Sequence, residues 1–115
     1  MSAKRRDPMS RELRQSAPVF AALGDETRLQ LLARLSAHAP ASITTLTEGS
    51  SLTRQAVTKH LRVLERAGLV RSEPAGRERL FEIRRDSLDD AFEFLERMSR
   101  QWDQALARLK SFVED

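Results

Sequence analysis

The chain has 115 residues, enough for one domain and too few for two. Its 40% hydrophobic and 32% charged content, with four Gly and four Pro, excludes collagen-like, low-complexity and membrane chains, and no apolar run approaches the roughly 18 residues of a spanning helix or follows the basic start as a signal peptide would. Net charge is +3, and the absence of cysteine removes any disulfide framework, thiolate nucleophile or Cys-based metal site, so the chain reads as cytoplasmic.

Residues 1–10 show no apolar periodicity and are expected to form a flexible basic arm ahead of a single domain over 11–115. From Arg11 to Leu23, Leu13, Ala17, Phe20 and Ala21 recur at three- to four-residue spacing and predict a helix. Pro18 has no N–H to donate, so it belongs in a first turn or at a kink, and Ser16 is the candidate N-cap of a short helix starting there. Gly24 closes that helix and Asp25 caps the next. The buried stripe of this second helix is expected to be Leu29, Leu32, Ala33 and Leu35, with its end near His38, ahead of Pro40. Ser42 caps a short third helix built on Ile43 and Leu46 and ended by Gly49, and Leu52 lies in the connection that follows. Thr53 caps a fourth helix with Val57, Leu61 and Leu64 in its apolar stripe, stopped by Gly68. The runs LVRSE and ERLFEI, separated by Pro74-Ala75-Gly76-Arg77, predict a two-stranded ribbon with Val70, Phe81 and Ile83 facing inward. A long amphipathic helix then covers about 86–113.

Residues 43–67 have the proportions of a helix-turn-helix, in which the second helix (53–67) lies in the DNA major groove with its N-terminal residues at base edges. Arg54, Gln55, Thr58, Lys59 and Arg62 fall off the Val57/Leu61/Leu64 stripe, so a core face and a groove face do not compete. Arg pairs with guanine, Gln with adenine, and Thr meets a phosphate or a thymine methyl. Thr53 at the N-cap leaves backbone N–H groups that favour a phosphate. The ribbon (69–84) carries Arg77 and Arg79 at its 74–79 tip, where a wing touches the neighbouring minor groove or backbone. Charge agrees with this division: residues 54–85 hold nine basic and four acidic side chains, residues 86–115 four basic and eight acidic. The fold class is therefore mostly α with a small β-hairpin wing. In the last helix Leu88, Leu95, Trp102 and Leu109 lie seven apart, with Ala91, Met98, Ala105 and Phe112 three residues after each. This seam exceeds what a small core absorbs, so Phe92, Leu95, Met98, Trp102, Leu106 and Leu109 are expected at a homodimer interface, together with the first helix. The alternative is packing wholly inside one chain.

Ala22-Leu23-Gly24-Asp25-Glu26-Thr27-Arg28-Leu29, Leu52-Thr53-Arg54-Gln55-Ala56-Val57-Thr58-Lys59-His60-Leu61, Leu64 to Val70 and Gly76-Arg77 resemble the linked motifs of the ArsR/SmtB winged-helix repressors. The resemblance runs from about Phe20 to Ile83. It implies a homodimeric bacterial regulator, usually a repressor on a palindromic operator, with terminal helices at the dimer interface. His60 matches the family's common His before Leu and joins the DNA-binding set by that match, with helix packing or a phosphate contact, rather than catalysis, as its plainer role. Metal sensors of the family carry Cys in the third helix or Asp and His on the last. Here the third helix reads ITTLTE, the last has neither His nor Cys, and His38 and His60 lack ligand spacing, so no metal or other cofactor is expected. The ending, Trp102 through Glu114, is similar to a non-metal branch whose members often accompany a START-like or Hsp90-activator-like protein. A small-molecule inducer is compatible with this reading, but no site for one is legible.

An enzyme would need a nucleophile–base pair, a carboxylate cleft, a phosphate loop or a metal cluster, and none is legible, so catalysis is not expected. Nor is a membrane partner. The rival to double-stranded DNA is a winged-helix module that binds protein. It would not require Arg54, Gln55, Thr58, Lys59, Arg77 and Arg79 to coexist on groove and wing.

Overall fold

In the computed structural model, which describes residues 8–114, the elements follow the order α1 (Pro8–Leu23), α2 (Glu26–His38), α3 (Ile43–Thr47), α4 (Arg54–Arg66), β1 (Val70–Ala75), β2 (Glu78–Ile83) and α5 (Asp86–Glu114). This is the expected helical architecture with one antiparallel hairpin and a long last helix. Three helices start where a side-chain oxygen meets an unpaired N–H three residues on. Asp25 accepts from Arg28 N at 3.0 Å, Ser42 from Thr45 N at 3.1 Å and Thr53 from Ala56 N at 3.0 Å. Each such cap contributes about 1 kcal/mol. α4 is closed just past its C-cap by Gly68, whose φ of 79° only glycine adopts cheaply. There Leu69 N returns to Leu64 O at 2.9 Å, and a Cβ on Gly68 would strike the Ser87 hydroxyl, so the same glycine lets α5 pack close.

The core lies between α1, α2, α4 and the base of the ribbon. Val19, Leu31, Leu35, Leu46, Val57, Leu61, Leu64, Leu69, Val70, Phe81 and Ala91 are buried together, and full burial of a large aliphatic side chain is worth roughly 1.5–3 kcal/mol. β1 and β2 pair in register from Val70↔Ile83 to Ala75↔Glu78. Ala41 exchanges both backbone hydrogen bonds with Phe81, at 3.0 and 2.8 Å, which ties the ribbon to the loop before α3. Phe81, buried beneath it, holds the ribbon's base against the bundle, so the hairpin leaves the body at a fixed place beside α4.

Several local expectations change. The arm expected over 1–10 is contradicted at its end, where Pro8–Ser10 form the first turn of α1; its remainder, residues 1–7, lies outside the described residues. Pro18 sits inside α1 and Ser16 is a buried helical residue rather than a cap. The proline removes one helical hydrogen bond, to the carbonyl of Arg14, and α1 continues because Val19 and Ala22 bury on the same side. That side is not the one whose apolar spacing predicted the helix: Leu13 and Phe20 are exposed. In α2 the buried pair is Leu31 and Leu35, with Leu32 beside them, while Leu29 and Ala33 face solvent. The run LQLLARL has leucines on several sides, and only packing selects among them. The hairpin loop is Gly76-Arg77 alone, Pro74 and Ala75 being paired in β1. Proline is tolerated in such an edge strand, and Gly76, at φ 64°, sits at the first central position of a two-residue loop.

α5 is 29 residues long, about 43 Å at 1.5 Å per residue. Its first half packs on α1 through buried Ala91 and Phe94, and Arg97 forms an ion pair with Glu12. Its second half leaves the body. The radius of gyration is 19.0 Å, against about 13 Å for a compact chain of this size. The alternative of a stripe packed wholly inside one chain is therefore overturned: Leu95, Met98, Trp102, Leu106 and Leu109 are all exposed.

Candidate nucleic-acid interface

α4 separates its faces by helical geometry. At about 100° per residue, Arg54, Gln55, Thr58, Lys59 and Arg62 occupy one side, and Val57, Leu61 and Leu64 the buried one. Among the described residues, the side chains of Gln55, Lys59, Arg62 and Arg77 have no hydrogen-bond or ion-pair partner, so they are free to meet a ligand. Arg54 donates to the Thr44 hydroxyl, which holds its guanidinium over the start of α4 beside α3. Thr58 donates its hydroxyl to Arg54 O at 2.7 Å, so as a ligand contact it offers its methyl and an acceptor lone pair. With Thr53 Oγ1 engaged by Ala56 N and Thr53 O by Val57 N, the N–H groups of Arg54 and Gln55 open the helix toward solvent. They add partial positive charge where the two side chains already lie.

The wing is braced against the same helix. Arg79 donates from Nε to Ser72 Oγ at 3.1 Å, and Ser72 Oγ donates to Glu65 Oε2 on α4, also at 3.1 Å. Arg62, Thr58, Glu65 and Arg79 line a depression of about 350 Å³ between helix and ribbon. Arg77 stands exposed at the hairpin tip. Arg71 is occupied by its cross-strand neighbour Glu82, at 2.6 Å from Nε, and this bond raises the guanidinium's hold on its proton.

The structure separates His60 from the other residues expected to touch DNA. It lies about 160° around α4 from Arg62, half-buried against the start of α2, with Nδ1 3.5 Å from Arg28 Nη1 and 4.0 Å from Asp25 Oδ2. Its place on the helix faces the body because position 60 borders Val57, Leu61 and Leu64. Sequence reasoning also missed Arg34. Its guanidinium donates to three carbonyls closing α3, Leu46 O at 2.6 Å, Thr45 O at 3.1 Å and Glu48 O at 3.0 Å. This completes the helix end that lacks its own partners and fixes α3, hence Thr44 and the turn, on α2. No local spacing announces a contact eleven to fourteen residues away.

The helix-turn-helix domain family matches residues 23–73, from the end of α1 into β1. The chain is 44% identical over 68 residues to the HTH-type transcriptional regulator YuzN of Bacillus subtilis, covering 54% of this chain and 74% of that one. It is similar to the solved structure of an ArsR-like transcriptional regulator from Rhodococcus sp. RHA1, with TM-score 0.77 and 38% identity over 86% of this chain and 92% of that one. The chain belongs to the ArsR family of winged helix-turn-helix transcriptional regulators. Its fold also matches a winged helix-turn-helix DNA-binding domain from Mycobacterium bovis described as homodimeric, at TM-score 0.64 and 23% identity over 83% and 85% of the two chains.

This ArsR-family regulator carries a further feature on α5. Phe92, Leu95, Met98, Trp102, Leu106 and Leu109 fall along one exposed edge of the helix, and Leu95, Met98, Trp102 and Ala105 line a shallow apolar groove on it. Leu13 and Phe20 of α1 are exposed as well. Among the described residues, no three or more His, Cys, Asp or Glu side chains group closely enough to hold a metal ion, and no helix is long and apolar enough to cross a membrane.

Proposed function

We propose that this regulator is a homodimeric repressor that acts in the cytoplasm by occupying a palindromic DNA operator. Arg54 and Gln55 read base edges, while Thr53, Thr58, Lys59 and Arg62 set the helix on the backbone. Arg77 and Arg79 carry the wing to the adjacent groove. The observation that carries this reading is the division of α4, with Val57, Leu61 and Leu64 turned into the core and Arg54, Gln55, Thr58, Lys59 and Arg62 left on a polar face beside a basic ribbon. The exposed edge of α5 and the exposed α1 residues support assembly of two copies, as does the neighbour described as a homodimer. Two copies related by a two-fold axis present two recognition helices to successive major grooves.

The salt dependence of binding tests the DNA reading and the wing together. Affinity for a random duplex should fall steeply with salt, because each neutralised phosphate releases counterions. Replacing Arg77 and Arg79 by Ala should weaken binding to every duplex and reduce the logarithmic slope by about one to two, near one for each phosphate that the variant no longer neutralises. Fluorescence anisotropy at several salt concentrations measures both. An unchanged slope would put the wing away from DNA, and no binding at low salt would favour the protein-binding alternative.

A further inference from the structure

Beyond groove and wing, one polar cluster reaches the recognition helix from behind. Arg28, on the first turn of α2, donates from Nε to Ala22 O at 2.7 Å and from Nη2 to Ala21 O at 3.3 Å, carbonyls of the last turn of α1. Its remaining nitrogen, Nη1, lies 3.5 Å from His60 Nδ1 on α4. Asp25 holds the Arg28 backbone N–H at 3.0 Å and stands 4.0 Å from the same imidazole nitrogen. The end of α1, the start of α2 and the middle of α4 thus meet at three side chains.

We infer that His60 is a positioning residue, which in its neutral form accepts a hydrogen bond from Arg28 and so sets the rotation of α4 against the α1–α2 corner. The inference deepens the proposed DNA-binding function and rests on it. A neutral imidazole protonated at Nε2 presents the Nδ1 lone pair to the guanidinium. Protonation turns Nδ1 into a donor and leaves two cations facing one another. The acceptor in reach is then Asp25, whose carboxyl is held below its usual range chiefly by the Arg28 N–H, which favours its ionised form. The ring must turn from Arg28 toward Asp25. Among the described residues, the charged groups in contact with it are these two; α1 contributes its carbonyls through Arg28, and Lys59, Arg54 and Arg62 point about 100°, 120° and 160° away from it around α4. The link between α1 and the recognition helix accordingly exists in one protonation state of His60. Protonation of the imidazole releases it.

The test uses the full chain and an operator selected from random DNA, with dissociation constants measured from pH 7.5 to 5.5. His60→Gln keeps an acceptor for Arg28 but cannot titrate, and His38→Gln, at the exposed end of α2, controls for the other histidine. Wild type and His38→Gln should lose about fivefold or more in operator affinity on acidification relative to His60→Gln, with no such difference on random duplex. Arg28→Lys, which removes the fork to Nδ1, should flatten the profile as His60→Gln does, and serves if that variant folds poorly. Parallel pH profiles for wild type and His60→Gln would overturn the inference. So would a loss in His60→Gln equal at every pH on operator and random DNA, which would make His60 a phosphate contact. Wild type that binds no operator would remove this inference and the proposed function together, an outcome distinct from parallel profiles in proteins that bind.

Discussion

Replacing Trp102 with alanine should convert the proposed dimer to monomer at micromolar concentration. The indole is two-thirds exposed in the single chain, at the middle of the apolar edge that runs from Phe92 to Leu109. Large aromatic side chains at the centre of an interface carry much of its energy, on the order of 2 kcal/mol or more each. A two-fold axis uses the contact twice, so the loss is about 4 kcal/mol per dimer, or roughly a thousandfold in dissociation constant. Trp102 lies far along α5 from the buried Ala91 and Phe94, so the folded chain should survive the change with its circular dichroism intact. Operator binding should fall in step with dimerisation, because one helix-turn-helix alone spans only a few base pairs. Sedimentation of wild type and variant measures the effect. Equal dimer constants in the two proteins would remove Trp102 from the interface, and a wild-type monomer that binds a palindrome tightly would remove the dimer.

The second large effect concerns base reading. Alanine at Arg54 or at Gln55 should cost roughly 1–3 kcal/mol on the specific site and relax preference at one base position in each half-site. Random duplex should be affected much less. Arg54 is already held over the start of α4 by Thr44, so part of its side-chain ordering is complete before DNA arrives. Gln55 has no such brace among the described residues. Competition binding against single-position operator variants separates the two residues. Equal losses on specific and random DNA would make both of them phosphate contacts.

What the residues announced in advance was what depends on local chemistry. Asp25, Ser42 and Thr53 cap helices because a short oxygen side chain meets an unpaired N–H three positions later. The Val57, Leu61 and Leu64 stripe survives into the structure because a charged, strongly two-sided helix leaves one way to bury itself. Where apolar residues lie on several sides of a helix, as around Leu29 to Leu35, period alone does not select the inner face. Packing against α4 and the ribbon does. In α1 the apolar spacing marked a helix correctly but fell on Leu13 and Phe20, which the single chain leaves exposed, whereas the core takes Val19 and Ala22. The candidate site divides in the same way. Arg54, Gln55, Lys59 and Arg62 could be placed on a common face from spacing, but Arg34 closing α3 and the Glu65–Ser72–Arg79 brace arise only when distant segments meet. The motif around His60 groups it with the groove residues. Its position on the helix, beside the buried stripe, was the available signal that it faces the body.

The central claim is that two copies of α4 read two half-sites of one DNA duplex. Selection of bound sequences from a random pool by the full chain tests it most directly. Enrichment of an inverted repeat is expected, with half-site centres about 34–36 Å apart, or a multiple of that turn. Alanine at Arg54 or Gln55 should erase preference at symmetric positions within it. A pool that emerges without sequence preference, or with a single asymmetric site, would contradict the claim.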